Sequence, residues 1–426
     1  MNNICRSIII LFIILFIFSC KKSSTSSDPI SVMFPDKNFE TLIRESIDKQ
    51  TGDILNTDLL AITKLDGSNR EISDITGIEY CTQLDTLDLA QNTIIDISLL
   101  NILTKLTSLD IGNNPIADIS ALSNLTNLKL LYIYGIDASD ISAISNLINL
   151  TNLKMHSIGI SDISALSGLT SLTTLWMAYN QITDISLLSN LTNLTDLRFH
   201  RNQVNDIGAL SNMNNLTTLS MSNNLVTDIS ALTNLGNLNT LWANINPIGD
   251  YSPLSGLVNL IRLDLDNNHI SNVEFLTNLV KLEYLNIFYN DVTDISPLAN
   301  LTKIKELNIG HNPTSDIRAL SGMIDLIYLH FSANHVPDIS PLSGLVNLQT
   351  IYMYYNNIVD ISPLLNLVNL KKIRMNNNDI VDIITLVNNS GIDSGDEIWL
   401  ENNPLDYTSI NTYIPQLEAR GVIVHQ

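Results

Sequence analysis

The chain has 426 residues, 45% of them hydrophobic and only 15% charged, where an ordinary soluble protein carries roughly 25% charge. Lys and Arg number 22 against 43 Asp and Glu, a formal net charge of −21, so the chain offers no basic face for nucleic acid or for electrostatic docking on anionic lipid. The apolar content excludes disorder for the body of the chain, and three cysteines cannot build a disulfide framework.

Arg6 is the only charge ahead of Ile8–Phe18, an unbroken apolar run of eleven residues. That run is too short to cross a bilayer, which takes about 20 residues, and has the length of a signal-peptide core. It ends in Ser19-Cys20, which resembles a bacterial lipobox, although Phe18 is bulkier than that motif usually carries. The resemblance implies that residues 1–19 are a signal peptide and that Cys20 becomes the lipid-modified first residue; a plain secretory signal is the alternative. Lys21-Lys22 and the Ser/Thr-rich segment after them read as a flexible tether, residues 20–31. Lys21 in place of Asp resembles lipoproteins sent on to an outer membrane.

Residues 32–64 read as a helical N-terminal cap. Asp36 is placed to cap a helix with Phe39, Leu42, Ile43 and Ile47 on one face, and Thr57 to start a short turn through Leu59, Leu60 and Ile62.

From Leu65 the sequence repeats every 22 residues. The strand position is Leu at 65, 87, 109, 131, 153, 175, 197, 219, 241, 263, 285, 307 and 329, then Ile at 351 and 373. A further copy follows after a step of 25, with Ile398, Leu400 and Asn403. Leu87 and Leu89 and their equivalents point inward from a short strand, and Ile94, Ile97, Leu100 and Leu103 fill the return path. Parallel strands about 4.8 Å apart would make sixteen such coils roughly 75 Å long. A single coil cannot bury its own apolar side, so stability comes from its neighbours.

Two polar columns run through the repeat. Asn holds one slot at 92, 114, 180, 202, 224, 246, 268, 290, 312, 334, 356 and 378, interrupted by Ile136 and Ile158. A buried amide there can satisfy backbone groups that leave the strand. Asp holds another at 74, 96, 118, 140, 162, 184, 206, 228, 250, 294, 316, 338, 360 and 382, interrupted by Asn272. One carboxylate per coil does not make a calcium site, which wants six to eight oxygens; the expected role is to accept N–H groups at the start of the convex turn, as an N-cap does. Pro253, Pro297, Pro341 and Pro363 should follow a capping Ser in that turn. Cys81 occupies a Leu slot and reads as a buried, inert thiol.

The motif L-x-x-L-x-L-x-x-N is the leucine-rich-repeat signature. The 22-residue unit with its Asn-x-Ile-x-Asp-Ile-Ser stretch looks like the internalin type, over roughly residues 32–426. The resemblance implies an α/β repeat solenoid: a curved horseshoe of about 15–16 coils with a parallel sheet on the concave face and short 3-10 or irregular turns on the convex face, residues 65–403. Thr408 to Ala419 reads as a helix broken or kinked at Pro415, and Val422-Ile423-Val424 as a final strand, within a C-terminal cap of residues 404–426.

No catalytic signature stands in the sequence: no Gly-x-Ser-x-Gly, no His-Glu-x-x-His, no phosphate loop and no Cys/His metal spacing. No enzyme, cofactor or metal is expected. The positions facing out of the concave sheet are the informative ones. They carry thirteen of the chain's aromatic residues, including all three tryptophans, where an idle solenoid would carry Ser, Thr, Asn, Asp or Lys. The candidate ligand-binding residues are Tyr132, Tyr134, His156, Trp176, Tyr179, Arg198, His200, Arg201, Trp242, Phe288, Tyr289, His330, Tyr352, Tyr354, Tyr355, Arg374 and Trp399. Exposed Trp, Tyr and Arg are the residues enriched in interface hot spots; the competing reading is that they merely pack against cross-coil neighbours. The expected function is an exported lipoprotein on the cell envelope of a bacterium, at the outer membrane or cell surface, binding a host or extracellular protein. A glycan ligand for polysaccharide capture, or a scaffold role in the envelope, stays open.

Overall fold

The structure, a computed structural model, describes residues 29–426. The apolar run, Cys20 and the first part of the tether lie outside the described residues.

A single parallel sheet runs the length of the solenoid. Among the described residues it has seventeen strands of three residues each, from β1 (Lys64–Asp66) to β17 (Ile423–His425), each hydrogen-bonded to the next in chain order. The register is that of the repeat: Leu65 pairs with Leu87, Leu87 with Leu109, and so on to Ile351 with Ile373. The 25-residue step is absorbed without a slip, since Ile373 pairs with Ile398 and Ile398 with Val424. The last pairing adds a strand beyond the final copy of the repeat. Every strand from the second to the sixteenth buries its central residue and leaves its two flanks less buried or exposed, with Ser220 and His330 as the buried exceptions. This period-2 pattern puts a row of Leu into the core and two rows of side chains on the concave face.

The return path is a series of short 3-10 turns, from Ile78–Tyr80 to Ser362–Leu364, replaced in the last coil by one α-helical turn, Ile384–Asn388. Ile94, Ile97, Leu100 and Leu103 are all buried, as are their equivalents in the coils above and below. Cys81 is fully buried in this column, and burial, with Glu79 nearby, pushes its thiol up to about 12, which holds it in the unreactive protonated form.

The buried Asn column is a hydrogen-bonded ladder. Asn224 donates to the carbonyls of Phe199 (3.1 Å) and Met221 (3.0 Å) and accepts from the Val204 N–H (3.0 Å), so one amide joins two coils. Asn403 extends the ladder into the last coil, donating to Met375 and Leu400. Where Ile136 interrupts it, the Ile116 N–H turns back to the carbonyl of Asn114 at 2.8 Å within its own coil. A second Asn ladder was not anticipated. Asn127, Asn149, Asn193, Asn215, Asn237, Asn259, Asn347 and Asn369 lie on the solvent side, and each donates to a carbonyl 23 residues earlier.

The Asp column acts one residue earlier than expected. Asp96 accepts the Ser98 N–H at 2.8 Å and Asp118 the Ser120 N–H at 2.8 Å, and the remaining twelve do likewise. These are Asx turns to the N–H two residues on, and the N-cap position itself is held by residues such as Ile97 and Ile119. Asn272 does the same job with its amide oxygen on Glu274 at 2.8 Å. The Ser before each Pro is therefore the first residue of the turn and not its cap: Ser252 donates its hydroxyl to Asp250.

At the N-terminal end, α1 (Lys37–Ser46) is capped by Asp36, which accepts from Asn38 and Phe39 at 2.9 Å, and buries Phe39, Leu42 and Ile43 over the first coil. Ile47 is only half-buried. At the other end a π-helical turn, Ser409–Tyr413, leads into the helix Ile414–Ala419 that contains Pro415. The missing proline N–H is what makes an irregular turn inexpensive there. No helix among the described residues is long and apolar enough to cross a membrane.

Candidate functional site

The outward positions form columns, because each strand lies directly beside the next. Immediately after the inward Leu, the column reads Tyr132, Lys154, Trp176, Arg198, Ser220, Trp242 along neighbouring strands. The side chains stack face to face as well as side by side. The Lys154 ammonium lies 4.4 Å from the Tyr132 ring centre and 4.2 Å from that of Trp176. The Arg198 guanidinium covers the other face of Trp176 at 4.2 Å and reaches over the small Ser220 towards Trp242 at 5.8 Å. Asp196 ties the group together: it takes two N–H bonds from Arg198, at 2.8 and 2.9 Å, and accepts the Trp176 indole N–H at 3.1 Å. Trp176 therefore presents its edge to solvent, with both faces occupied by cations.

The same device recurs near the C-terminal end. Arg374 lies 5.0 Å from the Tyr352 ring centre and 4.5 Å from that of Trp399, and His425 stacks on Trp399 at 4.5 Å with an interplanar angle of 11°. Between the two stacks the face turns acidic at Asp264 and Asp266. Burial pushes the Asp264 carboxyl up to about 6, with Asp266 adding like charge, and the Asp266 backbone N–H donates to the Asp264 carboxyl at 3.2 Å.

Three residues after the inward Leu the column alternates large and small. Tyr134 stacks on His156 at 4.9 Å, parallel within 2°, and lies over Gly112, where a Cβ would meet its ring at 2.5 Å. Beside Tyr134, burial pushes the Asp110 carboxyl up to about 6, with Asp88 adding like charge, and the Gly112 N–H donates to it at 2.9 Å. Farther along, Phe288 and His330 close round Gly310, where a Cβ would sit 3.1 Å from each. His330 is the exception among the candidate residues: it is only 8% exposed, lying 5.3 Å from Phe288, 5.5 Å from Tyr352 and 5.8 Å from Tyr354 between ring centres. Burial, with His311 and Arg374 close by, lowers it to about 4. It supports the rings above it and does not itself reach the surface. His200 is half-buried, bonded to Ser220 at 2.9 Å and edge-on to Tyr179.

Four residues after the inward Leu the backbone is left-handed in all sixteen coils, from Asn69 to Asn402, with φ between 52° and 64°. The N–H there bonds the next coil, as from Tyr179 to His200 at 3.0 Å and from Tyr355 to Asn376 at 3.1 Å, which fixes the conformation. Asn or Gly suits this geometry, and Asn69, Asn113, Gly135, Asn223, Asn267, Asn377 and Asn402 follow that rule. Gln91, Ser157, Tyr179, Arg201, Ile245, Tyr289, His311, Ala333 and Tyr355 break it, each at a cost of about 1–2 kcal/mol. Tyr179, Tyr289 and Tyr355 are also the most open of the candidate aromatics, at 49%, 57% and 58% exposure, and Ile245 is 41% exposed beside them in the same column. The sequence does not single out Ile245 and His311, since nothing in a residue name marks a positive φ.

The recess between Tyr284, Glu306 and Tyr328 holds about 210 Å³, less than the roughly 300–1,000 Å³ of a small-molecule pocket; a second, of about 380 Å³, opens beside Tyr289, His311 and His335.

The model of the leucine-rich repeats, two copies to a match, covers residues 82–124, 104–147, 148–190, 170–212, 192–234, 280–322 and 324–366. An internalin of Listeria monocytogenes, InlF, is 36% identical over 77% of this chain and 98% of that one, with a TM-score of 0.75. The chain belongs to the internalin-type leucine-rich-repeat family. The functional domain of the Listeria monocytogenes internalin InlJ, which includes a cysteine ladder, is 24% identical over 86% of this chain and 80% of that one, at a TM-score of 0.63. A leucine-rich-repeat protein of Leptospira interrogans has the same fold at 18% identity, covering 87% of this chain and 97% of that one, with a TM-score of 0.69. No curated protein matches the sequence.

Proposed function

We propose that this is a non-enzymatic binding protein of the bacterial cell surface, held by a lipid on Cys20, whose concave face grips a folded protein. The observation that carries the reading is the set of bulky side chains kept in left-handed backbone: Tyr179, Tyr289 and Tyr355 sit where Asn would be unstrained, and they stand open to solvent. Strain retained in an exposed side chain needs a use outside the fold. Tyrosine offers apolar area, a polar tip and few rotatable bonds, which is what an interface anchor needs.

A protein ligand fits better than a polysaccharide. Sugar rings stack on open aromatic faces, and the faces of Trp176 and Trp399 are covered by Lys154, Arg198, Arg374 and His425. The alternation of basic and acidic coils suits the mixed charges of a protein surface.

The test is a screen of the secreted chain against arrays of extracellular proteins and of glycans, beside the triple variant Tyr179→Asn, Tyr289→Asn, Tyr355→Asn. Asn relieves the backbone, so the variant keeps its fold. A protein hit that the triple variant loses is the expected result. A hit on glycans alone would replace this reading with polysaccharide capture, and a protein hit retained at full strength would remove the tyrosine rim from it.

A further inference from the structure

Two arginines on the concave face are clamped between aromatic rings, and they differ in one respect. Arg198 is neutralised by its own strand: Asp196, two residues earlier, accepts from both its Nε–H and a terminal N–H. In the strand of Arg374 the equivalent position is Lys372, a second cation, which pairs with Glu397 across the strand at 3.5 Å. Arg374 makes no ion pair among the described residues, and its Nε is buried without a hydrogen-bond partner. With Tyr352 on one face and Trp399 on the other, the guanidinium can be approached only along its edge, in the plane of its N–H groups.

A planar fork of donors with both faces blocked recognises a planar oxyanion, and the best geometric match is a carboxylate held by two parallel bonds. The Nε–H is closed off from solvent, so the two terminal N–H groups, which make no hydrogen bond among the described residues, are the pair left for such a ligand. We propose that Arg374 is the anchor for a single Asp or Glu carboxylate of the protein ligand, with the edges of Tyr352 and Trp399 taking the apolar part of that side chain. This rests on the concave face being the protein-binding surface. A polyanion such as a sulfated glycan is disfavoured, because the chain carries a net charge of −21 and the adjacent cation, Lys372, is already paired with Glu397.

Selective nitrogen-15 labelling of arginine in the full chain gives an Nε–H signal for each residue, and Arg198 serves as the internal control because its Nε–H is already bonded to Asp196. The probes are N-acetylglutamate N-methylamide, its glutamine analogue, and sodium sulfate. The Arg374 signal is expected to shift saturably with the glutamate probe, to ignore the glutamine probe, and to bind sulfate more weakly, while Arg198 stays still. Arg374→Lys, which keeps the charge and loses the fork, should weaken glutamate binding by about tenfold. An Arg374 signal that moves no more than that of Arg198, or one that prefers sulfate, would overturn the proposal. Loss of the tyrosine-rim result with this one intact would instead sink the wider reading of the face and leave the anion site standing.

Discussion

The guanidinium of Arg198 lies 4.2 Å from the centre of the Trp176 ring, and Asp196 hydrogen-bonds both. Trp176 is thus a packing residue as well as a surface one. Trp176→Ala is expected to lower stability by about 1–2 kcal/mol, from lost cation–π contact and buried area, read as a lower urea midpoint. A midpoint equal to that of the unmutated chain would mean that the stack contributes nothing to the fold.

The left-handed rim predicts the opposite sign. Tyr355→Asn should keep or raise the unfolding midpoint, with a gain of up to about 1 kcal/mol, because Asn tolerates φ near 54° and Tyr does not. Ligand binding by the same variant should weaken. If Tyr355→Asn costs as much as Trp176→Ala, the tyrosine is held by packing and the strain argument fails.

The ladder gives the largest effect. Asn224 satisfies Phe199, Met221 and Val204 with one amide, and Asn224→Ala leaves those buried groups without partners. The expected loss is about 3 kcal/mol, with the concave face unchanged and ligand affinity kept. An unfolding curve that superimposes on the original would refute the ladder's role in stability.

Acidic pH should act through Asp110 and His330 in opposite directions. The folded state raises Asp110 to about 6 from its usual value, so it binds more protons than the unfolded chain between roughly pH 4 and 6. Asp110 therefore destabilises the fold above pH 6, and the penalty fades as pH falls through that window. His330 is lowered to about 4, so the unfolded chain binds its proton first, and stability drops as pH falls from about 6.5 towards 4. Asp110→Asn should raise stability at pH 7 by about 1 kcal/mol, discounted for a carboxyl that is partly solvated, and by much less at pH 4.5. Thermal melts at the two pH values measure the difference; an equal effect at both would mean that the Asp110 carboxyl is not raised.

Cys20→Ser should move the protein from the membrane fraction to the soluble fraction and abolish incorporation of labelled fatty acid. Membrane retention of this variant would identify the apolar run as the anchor and remove the lipid from the proposal.

The sequence by itself determined the architecture. A 22-residue repeat in strict register puts Leu87 beside Leu109 and Asn202 beside Asn224, because in a solenoid residues one period apart are neighbours, and so contact follows from counting. The start of the first helix was legible for a related reason: Asp36 and the apolar face behind it form a local signal. Only the tertiary structure decided what the outward side chains do. Whether Trp176 shows a face or an edge depends on where Lys154 and Arg198 place their long side chains. The burial of His330 depends on three rings from neighbouring coils meeting over it. The strain at Tyr179 and Tyr355 is a backbone angle set by hydrogen bonds to the next coil. Spacing fixes which residues adjoin, while rotamer and dihedral choices made jointly by adjoining coils fix which atoms remain for a ligand.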